Sequence, residues 1–412
     1  MKKLKGILSP DIFDKIARAT KLIERQKKYG GHSFFWSITG GFCTGQATEI
    51  AGMLRAFTRD TGIDIQYNAW YNRLSKDGFP EFMRESYIHL LDHLYTEQLS
   101  IKGKLLEKFS DILMQDGSSY AVNNLMAEYY PGRFTKNSPA AVELHVFYSL
   151  RHASVQCVNL APDSVSEYDF MPTANDAILK DTLSLFDRGY SSIDRLHLIE
   201  QENGFFICRM KAYINPLVFF AYDKNHTQIN QVLKKIALKQ KRDYDFSVQF
   251  KNDKKFKHLR VVALWNRQTK NHVLLLTNAS EEQLSMQEVG KLYRLRWQIE
   301  LFFKELKSHT ELRKFLTADH NIAEGFIWAA LCAILIRRFL VANAQQISGK
   351  RLSFHKAAIS ARTFMPEFIA CALLKFHALK RCLLDIFTFI QKTMQFSNPH
   401  RPDALQLAGI IS

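Results

Sequence analysis

The sequence predicts an α/β protein: a mixed β-sheet core with flanking helices, a β-rich insertion, and helical N- and C-terminal regions. Three observations lead there. Apolar residues recur at spacings of three and four from Met1 to about Gln98. Short apolar runs bounded by turn residues then alternate with helical patterns to about Asn215. After Gln287 the chain reads as helical through most of the remainder. At 412 residues the chain is too long for one ordinary compact domain, so two or three structural units are expected.

The N-terminal helical pattern is clearest in PEFMRESYIHLLDHLYTEQL, and Gly30-Gly31 and Gly40-Gly41 divide the region into several short helices. Its first thirty residues carry nine Lys/Arg against three Asp/Glu, which makes either a phosphate-gripping face or a solvated surface. His89 and His93 sit one turn apart without the intervening glutamate and third ligand of a zinc protease, so they are not read as a metal site.

Strand signals begin at FSDILMQDGSSYAV, an apolar run ending in Asp116 and Gly117. They continue through AAVELHVFYSL and ASVQCVNLAP. A helix-like stretch in DAILKDTLSLFDRGYSS runs into Leu183 to Phe186, which ends in Asp187. NGFFICRMKAYI supplies another strand, giving a mixed sheet of about five strands. From Asn215 to about Ser285 a basic segment, with ten Lys/Arg and three Asp between Lys234 and Arg260, precedes the paired patterns VVALWNRQ and HVLLLTN. This stretch reads as an inserted β-rich unit with a positive surface.

The last specific segment is EVGKLYRLRWQIELFFKELKSH. At about 100° per residue from Tyr293, a single helix places Arg296 near 300°, Lys307 near 320° and Glu300 near 340°. Leu292, Leu295, Ile299, Phe302, Phe303 and Leu306 fill a neighbouring arc. One flank can thus pack on a sheet while its edge presents a tyrosine, two cations and a carboxylate to a cleft. An ordinary amphipathic helix with a charged rim would show the same pattern.

Composition narrows the partner. Lys+Arg 56 against Asp+Glu 40 gives a net charge of +16 and favours a polyanion, with nucleic acid ahead of a membrane surface. The six cysteines are scattered, without a CxxC pair, which disfavours a zinc finger or disulfide framework and fits a reducing compartment. The basic N-terminus meets Asp11 and Asp14 before a signal-peptide core develops. The apolar run Phe326 to Ile336 stops at Arg337-Arg338, short of the roughly 20 residues that span a bilayer. A cytoplasmic protein is expected.

Tyr293, Arg296, Glu300 and Lys307, in the context RWQIELFFK, resemble the Tyr-Arg-Glu-Lys signature of one large group of bacterial insertion-sequence DDE transposases, the IS-four type. The resemblance covers roughly Asp111 to Ile327, and AWYNRLSKDGFPEF is similar to the N-terminal domain of the same group. It implies a ribonuclease-H-like core over 106–330 with the β-rich insertion at about 215–285, a helical DNA-binding domain over 1–105, and a helical C-terminal region over 331–412. Asp116 in LMQDGSS and Asp187 in LFDRGYSS fit the first two acids of the family and Glu300 fits the third, at separations of 71 and 113 residues.

What the family implies is cut-and-paste transposition: phosphodiester hydrolysis and strand transfer at terminal inverted repeats, commonly through a hairpin on the element end. Asp116, Asp187 and Glu300 would hold two Mg²⁺ ions, with Mn²⁺ able to substitute. Two such ions about 3.5 to 4 Å apart activate the attacking oxygen and stabilise the leaving one, and hard oxygen donors suit them. Tyr293, Arg296 and Lys307 would contact phosphates, with Arg188 as a further contact. Double-stranded DNA, both element ends and target, would be the partner, gripped by a synaptic homodimer. The apolar positions of FIACALLKFHALKRCLLDIFTFI serve either that dimer or packing within the chain. Where some relatives carry a base-stacking tryptophan ahead of LLLT this chain has Val273, and the nearby Trp265 is read as a packing residue. A nuclease that cuts without joining, and a retired element that only binds its ends, are the rival readings.

Overall fold

A computed structural model of the chain describes residues 6–25, 28–44, 49–94, 105–134, 136–152, 154–165, 179–250, 256, 258–310 and 317–396. Parts of several expectations lie outside them: residues 1–5 and 26–27 of the basic N-terminus, 95–98 of the N-terminal helical pattern, the start of the helix-like stretch before Leu183, the basic residues at 251–255 and 257, and 397–412 of the helical C-terminal region.

Five helices come first: α1 (Pro10–Ala19), α2 (Gly31–Thr44), α3 (Ile50–Thr61), α4 (Tyr67–Leu74) and α5 (Gly78–Leu94). Each presents an apolar stripe inward except α2, which is buried on every side and forms the hub of the layer. His89 Nε2 is hydrogen-bonded to the Ile7 carbonyl and His93 Nδ1 to the His89 carbonyl.

The core sheet begins with β1 (Ile112–Ala121), β2 (Ala141–Ser149), β3 (Ser154–Pro162), β4 (Leu183–Phe186) and β5 (Phe205–Arg209), with α6 (Ile193–Gln201) between the last two. The order across it is β3-β2-β1-β4-β5. β2 runs antiparallel to both β3 and β1, whereas β1, β4 and β5 run parallel to one another. A meander of three strands followed by two crossovers is the ribonuclease-H-like arrangement that the family resemblance implies. β4 is buried throughout, as a central parallel strand covered on both faces must be.

The β-rich stretch does not stand apart. Strands β6 (Leu217–Ala221), β7 (Gln228–Val232), β8 (Tyr244–Gln249), β9 (Arg260–Asn266) and β10 (Asn271–Thr277) continue the same sheet to ten strands, because β10 pairs antiparallel with β5. Lys234, Lys235, Lys239, Lys241 and Arg242 are exposed and carry the positive surface expected of this stretch. Arg260 is the exception to that count. It is fully buried, bonded to Asp245 and to the carbonyls of Ala279 and Leu284, so its charge serves the fold.

Two helices follow the sheet, α7 (Met286–Arg294) and α8 (Trp297–His309). The long α9 (His320–Ser348), α10 (Phe354–Ile359), α11 (Ala361–Leu374) and α12 (Leu379–Thr393) complete the chain. α9 packs on α2, α5 and α12, and α11 packs on α2, so N- and C-terminal helices share one core that continues onto the sheet through Ile112, Met114, Val142 and Leu144. The apolar positions of the C-terminal segment, among them Phe368, Leu383, Ile386 and Ile390, are buried against this chain.

α9 is long and apolar enough to cross a membrane by composition, yet it is almost wholly buried as a core helix. The unbroken apolar run does stop at Arg337 and Arg338, but the helix passes through both. Glu305 of α8 receives hydrogen bonds from the two guanidinium groups, which is what allows two charges inside a core helix.

Candidate active site

Asp116 lies in the middle of β1, and β4 stops at Phe186, whose registered partner on β1 is Gln115. Asp187 therefore emerges beside Asp116 at the carboxyl end of a parallel strand, the place where α/β sheets leave a crevice. Side chains alternate along a strand, so Ile112, Met114, Asp116 and Tyr120 share the face of β1 on which α8 packs. Gln115, Gly117 and Ser119 face the other way.

The helix segment differs from the single rod expected. A capping box between Ser285 and Glu288 starts α7, and Gly290 lets that helix approach β9, since a Cβ there would stand 2.5 Å from Leu264 Cδ1. At Leu295–Arg296 the helix breaks into α7 and α8. The Arg296 amide bonds back to Tyr293 at 3.1 Å and the Ile299 amide to Arg296 at 3.1 Å, each spanning three residues instead of four. Such a turn advances about 120° per residue, so Tyr293 and Arg296 come round to the same side instead of lying about 60° apart. The apolar arc is as expected: Leu292, Leu295, Ile299, Phe302, Phe303 and Leu306 are all buried.

This geometry delivers the signature residues to the two aspartates. Arg296 Nη1 donates to Asp116 Oδ2 at 3.0 Å, and its Nη2 donates to Glu300 Oε1 four residues on. Tyr293 O–H reaches Asp187 Oδ1 at 3.5 Å, a long contact. Burial, then the Asp187 charge, pushes the Tyr293 hydroxyl well above the ordinary tyrosine range, so it stays protonated. Burial works against the charge on Arg296, but Asp116, Tyr293 and Glu300 outweigh it and raise its pKa. Lys307 lies further along α8 with its ammonium 4.7 Å from the centre of the Tyr120 ring. Arg188 is exposed in the turn after Asp187.

Arg296 thus links Asp116 of β1 to Glu300 of α8, and Tyr293 beside it reaches Asp187. Among the described residues no three acidic, histidine or cysteine side chains form a metal-holding group by themselves. All three donors are nevertheless half-exposed carboxylates, and a cation already bridges two of them.

The reverse face of β1 holds residues that the sequence did not single out. Tyr190, which ends the DRGY turn, shares a 2.8 Å hydrogen bond with His145 Nδ1 on β2. A Cβ on Gly117 would stand 2.6 Å from the Tyr190 hydroxyl and 2.7 Å from Glu143 Oε1, so glycine beside Asp116 is required for this contact. Burial, aided by Arg133, holds the His145 imidazole down to about 4, hence neutral. Arg195 of α6 lies buried with Nη2 on Gln115 and its guanidinium over the Phe186 ring at 5.2 Å. Together these tie β1, β2 and the Asp187 turn into a fixed block. Polar residues alternating in the otherwise apolar AVELHVFYS were the signal available for Glu143 and His145.

The Transposase DDE domain family matches residues 125–336, just over half of the chain, including Asp187 and Glu300 and beginning shortly after Asp116. The chain belongs to the DDE transposase family. A DDE transposase cleaves DNA and transfers the freed strand, using divalent metal ions. The chain is 23% identical over 403 residues to the transposase of insertion sequence element IS231F of Bacillus thuringiensis subsp. israelensis, covering 87% of this chain and 83% of that one. With the IS1151 transposase of Clostridium perfringens it shares 22% identity over 430 residues, covering 91% of this chain and 90% of that one. A putative transposase InsL of element IS186A from Escherichia coli K12 is 42% identical over 77 residues, 19% of this chain and 21% of that one. Among solved structures, a piggyBac transposase synaptic complex with hairpin DNA superposes at a TM-score of 0.46 and 12% identity, covering 97% of this chain and 84% of that one.

Proposed function

We propose that this DDE transposase mobilises a bacterial insertion sequence by cut-and-paste chemistry at its terminal inverted repeats. The observation that carries the reading is Arg296 joining Asp116 of the sheet to Glu300 of the helix, with Asp187 alongside. Partly exposed carboxylates from separate parts of the chain, two of them sharing one guanidinium and the third against its neighbour Tyr293, support the reading.

Asp116, Asp187 and Glu300 are the catalytic acids and would hold two Mg²⁺ ions, with Mn²⁺ as a substitute. Their oxygen donors suit hard divalent cations that keep several waters, and a cationic group already fits between two of them. Bound there, the ions supply Lewis-acid activation of the attacking oxygen and neutralise charge on the phosphate and the leaving 3′ oxygen. The chain's own part is to position the phosphodiester. Arg296 forks onto phosphate oxygens, Lys307 adds a point charge, Tyr293 donates its retained proton, and Arg188 flanks the Asp187 side of the cleft.

The helical layer built from residues 1–105 reads the terminal repeats, the 106–330 core with its β-rich insertion over 215–285 performs the chemistry, and 331–412 braces the two. Two ends are held in a synaptic homodimer, and each excised end passes through a hairpin before joining target DNA. The protein works in the bacterial cytoplasm, on the nucleoid.

The deciding experiment incubates the full chain with paired duplexes bearing the inverted repeats that flank its gene, together with a target plasmid and Mg²⁺. Joined product is expected. Cleavage without joining would identify a simple nuclease, and binding without cleavage a retired element.

A further inference from the structure

The pairing of Arg296 bears on how the site is controlled, resting on the reading of Asp116, Asp187 and Glu300 as metal ligands. We propose that Arg296 is a built-in counter-ion that occupies the acidic cleft until DNA draws it away, so that end binding and metal binding reinforce each other.

The two terminal nitrogens of Arg296 go to two different carboxylates, one on the sheet and one on its own helix. Its side chain is 16% exposed, against 22% for Asp116 and 34% for Glu300, so this is a partly desolvated arrangement in which charge pairing counts for more than at an open surface. With Nη1 on Asp116 and Nη2 on Glu300, the fork that would grip a phosphate bidentately is turned onto carboxylates instead. Conversely, Asp116 Oδ2 and Glu300 Oε1 are lone-pair donors that a divalent ion needs. A metal entering the cleft competes with Arg296 for both oxygens, and a phosphate entering it competes with both acids for Arg296.

The three-residue turns at Leu295–Arg296 place this arginine at the junction of α7 and α8, beside Tyr293, where rotation of its long side chain can exchange carboxylate for phosphate without moving either helix axis. Lys307 and Arg188 are differently placed, Lys307 over an aromatic ring and Arg188 in the open turn. Because coupling between two ligands is reciprocal, a phosphate that removes Arg296 must strengthen metal binding by the same factor by which metal strengthens DNA binding. The consequence is a site with weakened metal affinity until an end is in place, which restrains cutting elsewhere.

The test uses the full chain and Mn²⁺ alone, with free Mn²⁺ followed by its electron paramagnetic resonance signal. Asp116→Asn is expected to lose tight binding, which assigns the site. Arg296→Ala is expected to bind Mn²⁺ at least about fivefold more tightly than the wild type, the lower end of ordinary coupling between sites. Arg296→Gln, which keeps a neutral donor, carries the same comparison should the alanine variant fold poorly. In parallel, affinity for the end-bearing duplex is measured in chelator and in Ca²⁺: the wild type is expected to gain about fivefold or more and Arg296→Ala to gain little. Unchanged Mn²⁺ affinity in the Arg296 variants, with Asp116→Asn still deficient, would overturn the counter-ion role and leave the metal site standing. Mn²⁺ binding indifferent to Asp116→Asn would remove the metal site and the counter-ion role with it.

Discussion

Glu305→Gln offers the sharpest test of how the helix that carries Glu300 is anchored. Glu305 sits on the same helix as Glu300 but faces inward, where Arg337 and Arg338 of α9 donate to its two oxygens, the latter at 3.0 and 2.7 Å. Burial alone would push its carboxyl up, yet Arg338 and Arg337 hold it down to about 2. The three side chains are 8%, 1% and 8% exposed, so the amide variant leaves two guanidinium groups in the core without their anion. Breaking such a buried pair costs about 3 to 5 kcal/mol. With an unfolding entropy of roughly 2.1 cal/mol/K per residue, 412 residues give about 0.9 kcal/mol/K, so the melting temperature should fall by about 3 to 6 °C. Differential scanning calorimetry reads this directly. The triple variant Glu305→Leu, Arg337→Met, Arg338→Met removes every charge at once and should recover most of the loss. A drop below about 1 °C for Glu305→Gln, or a triple variant worse than the single, would refute the account of this ion cluster.

Three further outcomes follow from the same geometry. Gly117→Ala should cut strand cleavage at least about tenfold by forcing the Tyr190 hydroxyl and Glu143 away beside Asp116, with Tyr190→Phe partly restoring it; normal cleavage by Gly117→Ala would contradict the tie. His145 and His32 are each held near 4 by burial, against an ordinary 6.5 that the unfolded chain regains, so both favour folding fully above about pH 6.5. Stability should decline from there to about pH 4 and then level for these groups, by at most about 3 kcal/mol each, and melting temperatures across that range in wild type and His145→Gln check it. Lys307→Ala and Arg188→Ala should each lower the slope of log affinity against log salt by about 0.9 for end-bearing DNA, whereas an unchanged slope would mean no phosphate contact.

Much of this was legible because the relevant patterns are local. Short apolar runs that end in Asp116 and Asp187 read as strands, and pairing in the sheet brings their ends together. The apolar arc of α7 and α8 read correctly because burial selects it one residue at a time. The break at Leu295–Arg296 was not visible: neither glycine nor proline marks it, and only contact with the sheet reveals that Tyr293 and Arg296 are brought onto one side. The capping box at Ser285 was readable from Ser-x-x-Glu spacing and sets the true start of α7. That Arg337 and Arg338 are buried inside the helix was not legible, since a charge reads as a surface residue unless its partner, here Glu305 some thirty residues earlier, is known. Likewise, nothing within one strand announces that Gly117, His145 and Tyr190 meet, because each lies on a different element.

The central claim is that Asp116, Asp187 and Glu300 act as one metal-holding group in DNA cleavage. The direct measurement compares Mg²⁺-dependent nicking of an end-bearing duplex with affinity for that duplex, for Asp116→Asn, Asp187→Asn and Glu300→Gln beside the wild type. All three variants are expected to lose nicking while binding the duplex within a few-fold of wild type. A variant that still nicks at a wild-type rate would contradict the claim.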